Sequence, residues 1–259
     1  MASQEVPVLV DTANRPNRSG PLWTALKRMN PSRNTQARWT LEKTWYLNAS
    51  RSKRLSIGMD LERQLAVSVV IESSSGLGVR LEAHHLRELL SPGWMAIVTQ
   101  HFRFPQSPGM IREMNNLEMK CTRINDRDPA LKIATVDDDG RHMYVILGEV
   151  SCKLLFMYAP AILYRVNAYT EETMRVTGWL RDCLKHLVNL AYLNGFGDGL
   201  TVQAANNLIC SAADKLSNAE NAASLHWETE FQFDMLYRHR EYLASLLIEM
   251  MKCDPDEEL

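Results

Sequence analysis

The 259-residue chain has no apolar run approaching the roughly 20 residues that cross a bilayer. Met1 to Val10 also lacks the cationic stretch and apolar core of a secretory signal. An intracellular protein, nuclear or cytoplasmic and not secreted, is therefore expected. Cysteine is scarce: Cys121, Cys152, Cys183, Cys210 and Cys253 are five widely spaced residues with no C-x-x-C pair and no histidine at ligand spacing. This excludes a disulfide framework or a zinc module, and leaves reduced, mostly buried thiols with no metal and no cofactor expected. Catalytic signatures are missing as well. No G-x-S-x-G elbow, H-E-x-x-H pair or H-x-E with P-C-x-x-C occurs, so a non-enzymatic protein is expected. Charge of one sign is lacking overall, since the net charge is −2, and bulk electrostatics alone does not call for an anionic partner.

That near-neutrality hides a gradient. Residues 1–54 carry a net +7, residues 55–169 carry −1 and residues 170–259 carry −8. Any anionic partner must therefore be met by the N-terminal part or by local strand faces. Length exceeds the usual domain mode of about 100–150 residues, and the patterning divides the chain into four stretches. Residues 1–36, broken by Pro7, Pro16, Pro21 and Pro31, read as a basic, largely disordered arm in which Leu22 to Met29 is a helical turn docking Trp23. Residues 37–104 read as a first β-rich unit with a helix, residues 105–169 as a second, and residues 170–259 as an acidic helical region.

In the first unit Trp39 to Leu47 reads as a strand, and Leu55 to Gly58 alternates. Leu65 to Ile71 is a β-branched run, Ser73 to Gly76 supplies a turn, and Leu77 to Leu81 alternates again before a helix from Glu82 to Leu90. Trp94 to Phe104 reads as a further strand. The second unit repeats the order: strands at Leu117 to Ile124 and Leu131 to Val136, a turn at Asp137 to Gly140, and a return strand from His142 to Leu147. Val150 to Met157 reads as a strand that runs into a helix opened by Ala159 and Pro160, since proline suits a first helical position. After Glu171 the period is helical. One helix carries Leu180, Leu184, Leu187 and Ala191, and a second carries Val202, Ala205, Ile209, Ala212 and Leu216. A third runs from about Leu225 to Lys252. The fold class expected is α+β: two strand-strand-strand-helix units forming antiparallel sheets, followed by a three-helix C-terminal region.

Several motifs have bland explanations. Gly195, Gly197 and Gly199 follow a helix and lack the Lys-Ser/Thr ending that grips a nucleotide, so they read as a helix–helix turn. Asp137 to Asp139 lack the ligand ladder of a calcium loop. His84 and His85 are adjacent on a helix and point about 100° apart, which prevents them from sharing a metal.

Cations on strand faces carry the functional reading. Arg80 stands between Val79 and Leu81, Lys120 between Met119 and Cys121, and Lys132 between Leu131 and Ile133, so alternation puts each opposite an apolar face. With the cluster Arg51, Lys53 and Arg54, together with Arg63 and Arg123, they are the expected phosphate contacts. Tyr144, Phe102 and Phe104 are candidate rings for base stacking. Single-stranded DNA or RNA is the expected partner, without a membrane. The alternative is a protein–protein or homodimeric scaffold in which Leu236, Leu243, Leu247 and Met250, spaced by seven, four and three, form a partner interface on the C-terminal helices. An intramolecular core explains the same stripe.

The segment from Leu55 to Ile71, followed by Gly78, Val79, Arg80 and Leu81 running into the helix to Leu89, resembles the strand–strand–strand–helix ending of the positive-cofactor-four type of transcriptional coactivator. Lys153 to Val166 gives a fainter echo. The resemblance, over residues 50–169, extends to Whirly and Pur proteins. It implies a paired β-sheet surface that binds single-stranded nucleic acid in transcription or RNA/DNA metabolism. The strands here carry fewer cations than that family's binding sheets, and the helical third is outside the likeness.

Overall fold

The computed structural model describes residues 39–63, 65–105, 109–114, 116–125, 127–136, 140–196, 199–217 and 231–252. The arm at 1–36, the tail beyond 252 and the segment at 218–230 lie outside the described residues, and with them the readings made there. Eight strands form two four-stranded antiparallel sheets, each in simple sequential order. The first holds β1 (Trp39–Tyr46), β2 (Lys53–Asp60), β3 (Ala66–Ser73) and β4 (Gly78–Leu81). The second holds β5 (Ile111–Met114), β6 (Leu117–Ile124), β7 (Asp128–Val136) and β8 (His142–Gly148). Between them run α1 (Ala83–Leu89) and α2 (Pro92–Arg103), and after them α3 (Glu149–Leu193), α4 (Val202–Ser217), a π-helical turn (Asp234–Arg238) and α5 (Arg240–Met251). The α+β class holds, with four strands per sheet rather than three.

Alternation fixes which face of each sheet is interior. Leu55, Ile57 and Met59 of β2 pair with Ile71, Val69 and Val67 of β3, and all but the partly buried Val67 are fully buried. In the second sheet Leu117, Met119 and Cys121 of β6 stand opposite Thr135, Ile133 and Leu131 of β7 in the same way. The long helix α3 packs against β2 and β3 of one sheet and β7 and β8 of the other, so one apolar helix stripe closes both interiors. Cys152, Leu155, Ala159, Ile162, Val166 and Tyr169 form that stripe at helical spacing. Burial of roughly 1.5–3 kcal/mol for each large apolar side chain makes this shared core the main source of stability. Its thiols are inert: burial pushes Cys183 up to about 12 and raises Cys121 and Cys152 as well.

Two segments expected as strands are helices. Trp94 to Phe104 lies in and just beyond α2, because the Ser91 side chain accepts from the Trp94 N–H and Pro92 takes the first turn. Trp94, Val98 and His101 then fall on one buried face. Val150 to Met157 belongs to α3, which begins at Glu149, so Pro160 sits inside the helix instead of opening it. The same helix runs unbroken through residues 169 and 170, where the second β-rich unit and the helical region were expected to divide. The third C-terminal helix is interrupted by the π-helical turn at Asp234–Arg238, and Leu236, Leu243, Leu247 and Met250 are buried within the single chain. Their stripe is core, on a segment packed against α3 and α4.

The C-terminal region grips the first sheet at a bulge. Pairing of β1 with β2 shifts between Thr40 and Lys43, and Leu41 adopts φ +58°, a conformation costing about 1–3 kcal/mol for a side chain of this kind. Three contacts hold it there. The buried Asp234 carboxylate accepts from the Leu41 N–H (2.9 Å) and the Thr40 hydroxyl (3.2 Å), and the Tyr169 hydroxyl donates to the Leu41 carbonyl (2.6 Å). Among the described residues no helix is long and apolar enough to cross a membrane.

Candidate nucleic-acid interface

The outward faces of the two sheets differ in what they leave open. On the first, Arg54, Ser56, Gly58 and Asp60 of β2 align with Glu72, Val70, Ser68 and Ala66 of β3, and Arg80 of β4 joins the Ser56–Val70 row. This face is closed. Ser56, Ser68 and Asp60 are 3%, 4% and 0% exposed. The Trp39 ring lies so close to Gly58 that a Cβ there would stand 2.9 Å from it. Arg80 reaches along the face to donate to the buried Asp60 carboxylate at 2.6 Å, and Arg54 donates to Glu72 at 2.7 Å.

On the second sheet the outward face is open. One cross-strand row runs Ile111, Lys120, Lys132, Ile146; the next runs Glu113, Glu118, Ala134, Tyr144. Lys120 therefore stands directly opposite Lys132, about 5 Å away at Cβ, and like charges so placed destabilise a strand pair. Lys132 is shared between two diagonal neighbours, the Glu118 carboxylate at 3.3 Å and the Tyr144 ring, whose centroid is 5.8 Å from its ammonium. Tyr144 is half exposed. Beside it a groove of about 270 Å³ is lined by Glu113, Asn116, Glu118, Lys132, His142 and Tyr144, among others.

The eight cations expected to share one surface fall in separate places. Arg51, Lys53 and Arg54 cluster at the β1–β2 turn, where Arg51 lies over the exposed Tyr46 ring at 5.1 Å and burial holds the Lys53 ammonium below its usual value. Arg63 follows the far end of β2, about 25 Å of strand away. Arg80 is committed to Asp60. Arg123 has the inward parity of β6, and its guanidinium is held by the Pro105 carbonyl. Lys120 and Lys132 alone pair across strands on one open face. Of the candidate rings, Tyr144 is on that face, whereas Phe102 is on α2 and Phe104 caps it.

Sequence reasoning missed Glu113, Asn116 and His142. The short strand β5 that positions Glu113 has three exposed residues out of four and no alternation to read. A directly opposed lysine pair beside a ring can bind a polyanion. Among the described residues no cluster of three or more His, Cys, Asp or Glu could hold a metal ion. No family model and no curated protein matches this chain.

Proposed function

We propose that the protein binds single-stranded nucleic acid, without catalysis, on the outward face of the second sheet. The observation that carries the reading is Lys120 opposite Lys132 beside Tyr144. A phosphate placed between the lysines relieves their repulsion, and the neighbouring ring gives a base a surface to stack on, contributing about 1–3 kcal/mol. Glu113 and Glu118, one row away, repel phosphate and accept hydrogen bonds from base amino groups, so the backbone follows the lysine row and the bases lie over the glutamate and tyrosine row. The β1–β2 turn, where Arg51 lies over the Tyr46 ring, offers a second ring with a cation beside it. Paired four-stranded sheets that each run into helices are also in keeping with the resemblance to Whirly and Pur proteins, and with a role in transcription or RNA/DNA metabolism.

The test is salt-dependent binding of a fluorescent single-stranded oligonucleotide. Two phosphate contacts give a slope of about 0.7 each in the logarithm of affinity against the logarithm of salt, so replacing Lys120 and Lys132 together by glutamine reduces the slope by about 1.4. Absence of binding at low ionic strength, or an unchanged slope in the double variant, overturns the assignment.

A further inference from the structure

We infer that the outward face of the first half of α3 is a contact surface between two copies of this chain, packed as antiparallel helices. Val150, Met157 and Tyr164 are 63%, 62% and 68% exposed. They recur every seven residues, with Ala161 and Ala168 on the same side, along a stripe about 27 Å long. The opposite side of this helix already fills the core through Cys152, Leu155, Ile162 and Val166, so the stripe is surplus to the fold of one chain. Contiguous exposed apolar surface marks an interaction site, and seven-residue spacing is the seam that paired helices share.

Charge decides the occupant and its direction. The stripe is flanked by Glu149 and Lys153, an exposed ion pair at 2.6 Å that water screens and a further carboxylate can share, and by the exposed Glu171, and this mixture of signs does not match the basic polar face that binds anionic lipid. It does match itself. An antiparallel pair centred between Pro160 and Ala161 sets Met157 against Tyr164 of the second copy and brings Lys153 within a turn of the second copy's Glu171, at both ends by the twofold symmetry. A parallel pair would instead stack Lys153 on Lys153 and Glu171 on Glu171. The small residues Pro160, Ala161 and Ala168 let the helices approach.

Sedimentation equilibrium of the full chain tests this. The expected result is a species of twice 29.6 kDa. Tyr164→Glu, with an unchanged melting curve, raises the dimer dissociation constant about thirtyfold or more. Lys153→Glu and Glu171→Lys each weaken the dimer, and the two together restore it. A single-chain mass at every concentration overturns the inference, as does a dimer insensitive to Tyr164→Glu. A double charge swap no tighter than the single changes overturns the antiparallel arrangement.

Discussion

The two sheets have the same strand order and the same inward alternation, yet their outward faces have diverged. The first spends its polar groups on itself: Arg80 lies along the face to meet Asp60, Arg54 meets Glu72, and Trp39 lies over Gly58. The second engages Lys132 only in a half-exposed contact with Glu118 at 3.3 Å and with the half-exposed Tyr144 ring, and sets Lys120 directly opposite it. A cation on a strand is therefore not a binding residue by position alone. How deeply its carboxylate neighbour is buried decides whether its charge is used inside the protein, as with Asp60, or stays open to a ligand, as beside Glu118.

The largest expected effect of breaking this contrast is at Asp60. Replacing it by alanine removes a fully buried carboxylate that holds Arg80, and a broken buried pair costs about 3–5 kcal/mol, read from denaturant unfolding. Next comes Gly58→Ala, whose methyl group meets the Trp39 ring and the Thr40 carbonyl and costs about 1–3 kcal/mol on the same measurement. Tyr144→Ala reverses the pattern: its effect on stability stays within about 0.5 kcal/mol, while oligonucleotide affinity falls by about 1–3 kcal/mol. The smallest effect is at Arg54, whose ion pair with Glu72 is half exposed and screened, so alanine there changes stability by less than about 1 kcal/mol. If Arg54→Ala and Asp60→Ala cost the same, the closed face is not organised by burial.

Much of the framework was legible because Leu55 to Asp60 in β2 and Leu117 to Thr122 in β6 alternate apolar and polar residues, a period-two signal, and β3 is a β-branched run. The errors share one cause. Each segment contains a short continuous apolar run, Trp94 to Val98 and Leu154 to Met157, and such runs fit a buried strand and a buried helix equally well. The deciding information was local. Ser91 with Pro92 starts α2 as much as it stops α1. Pro160 misled in the other direction, since a proline at the outward side of a long, well-packed helix can be tolerated in mid-course.

The site was legible in part for a related reason. Parity placed Lys120 and Lys132 on the outward face, and the structure has them there. Parity is silent about partners, however: Arg80 finds Asp60 twenty residues back along the chain, and Arg123 finds a carbonyl in the loop after α2. Register across strands, which turns two solitary lysines into an opposed pair, becomes visible only once β6 and β7 are aligned. The terminal stripe shows the same limit. Seven-residue spacing at Leu236, Leu243 and Met250 is equally a core and an interface, and burial alone separates them.

The most direct measurement is photocrosslinking of a bromouridine-substituted single strand, followed by tryptic peptide mapping. The account expects the nucleic acid on the peptide from His142 to Lys153, which carries Tyr144, with no adduct on the peptide from Leu55 to Arg63. A crosslink confined to the first sheet, or none in a complex that forms at low salt, would contradict it.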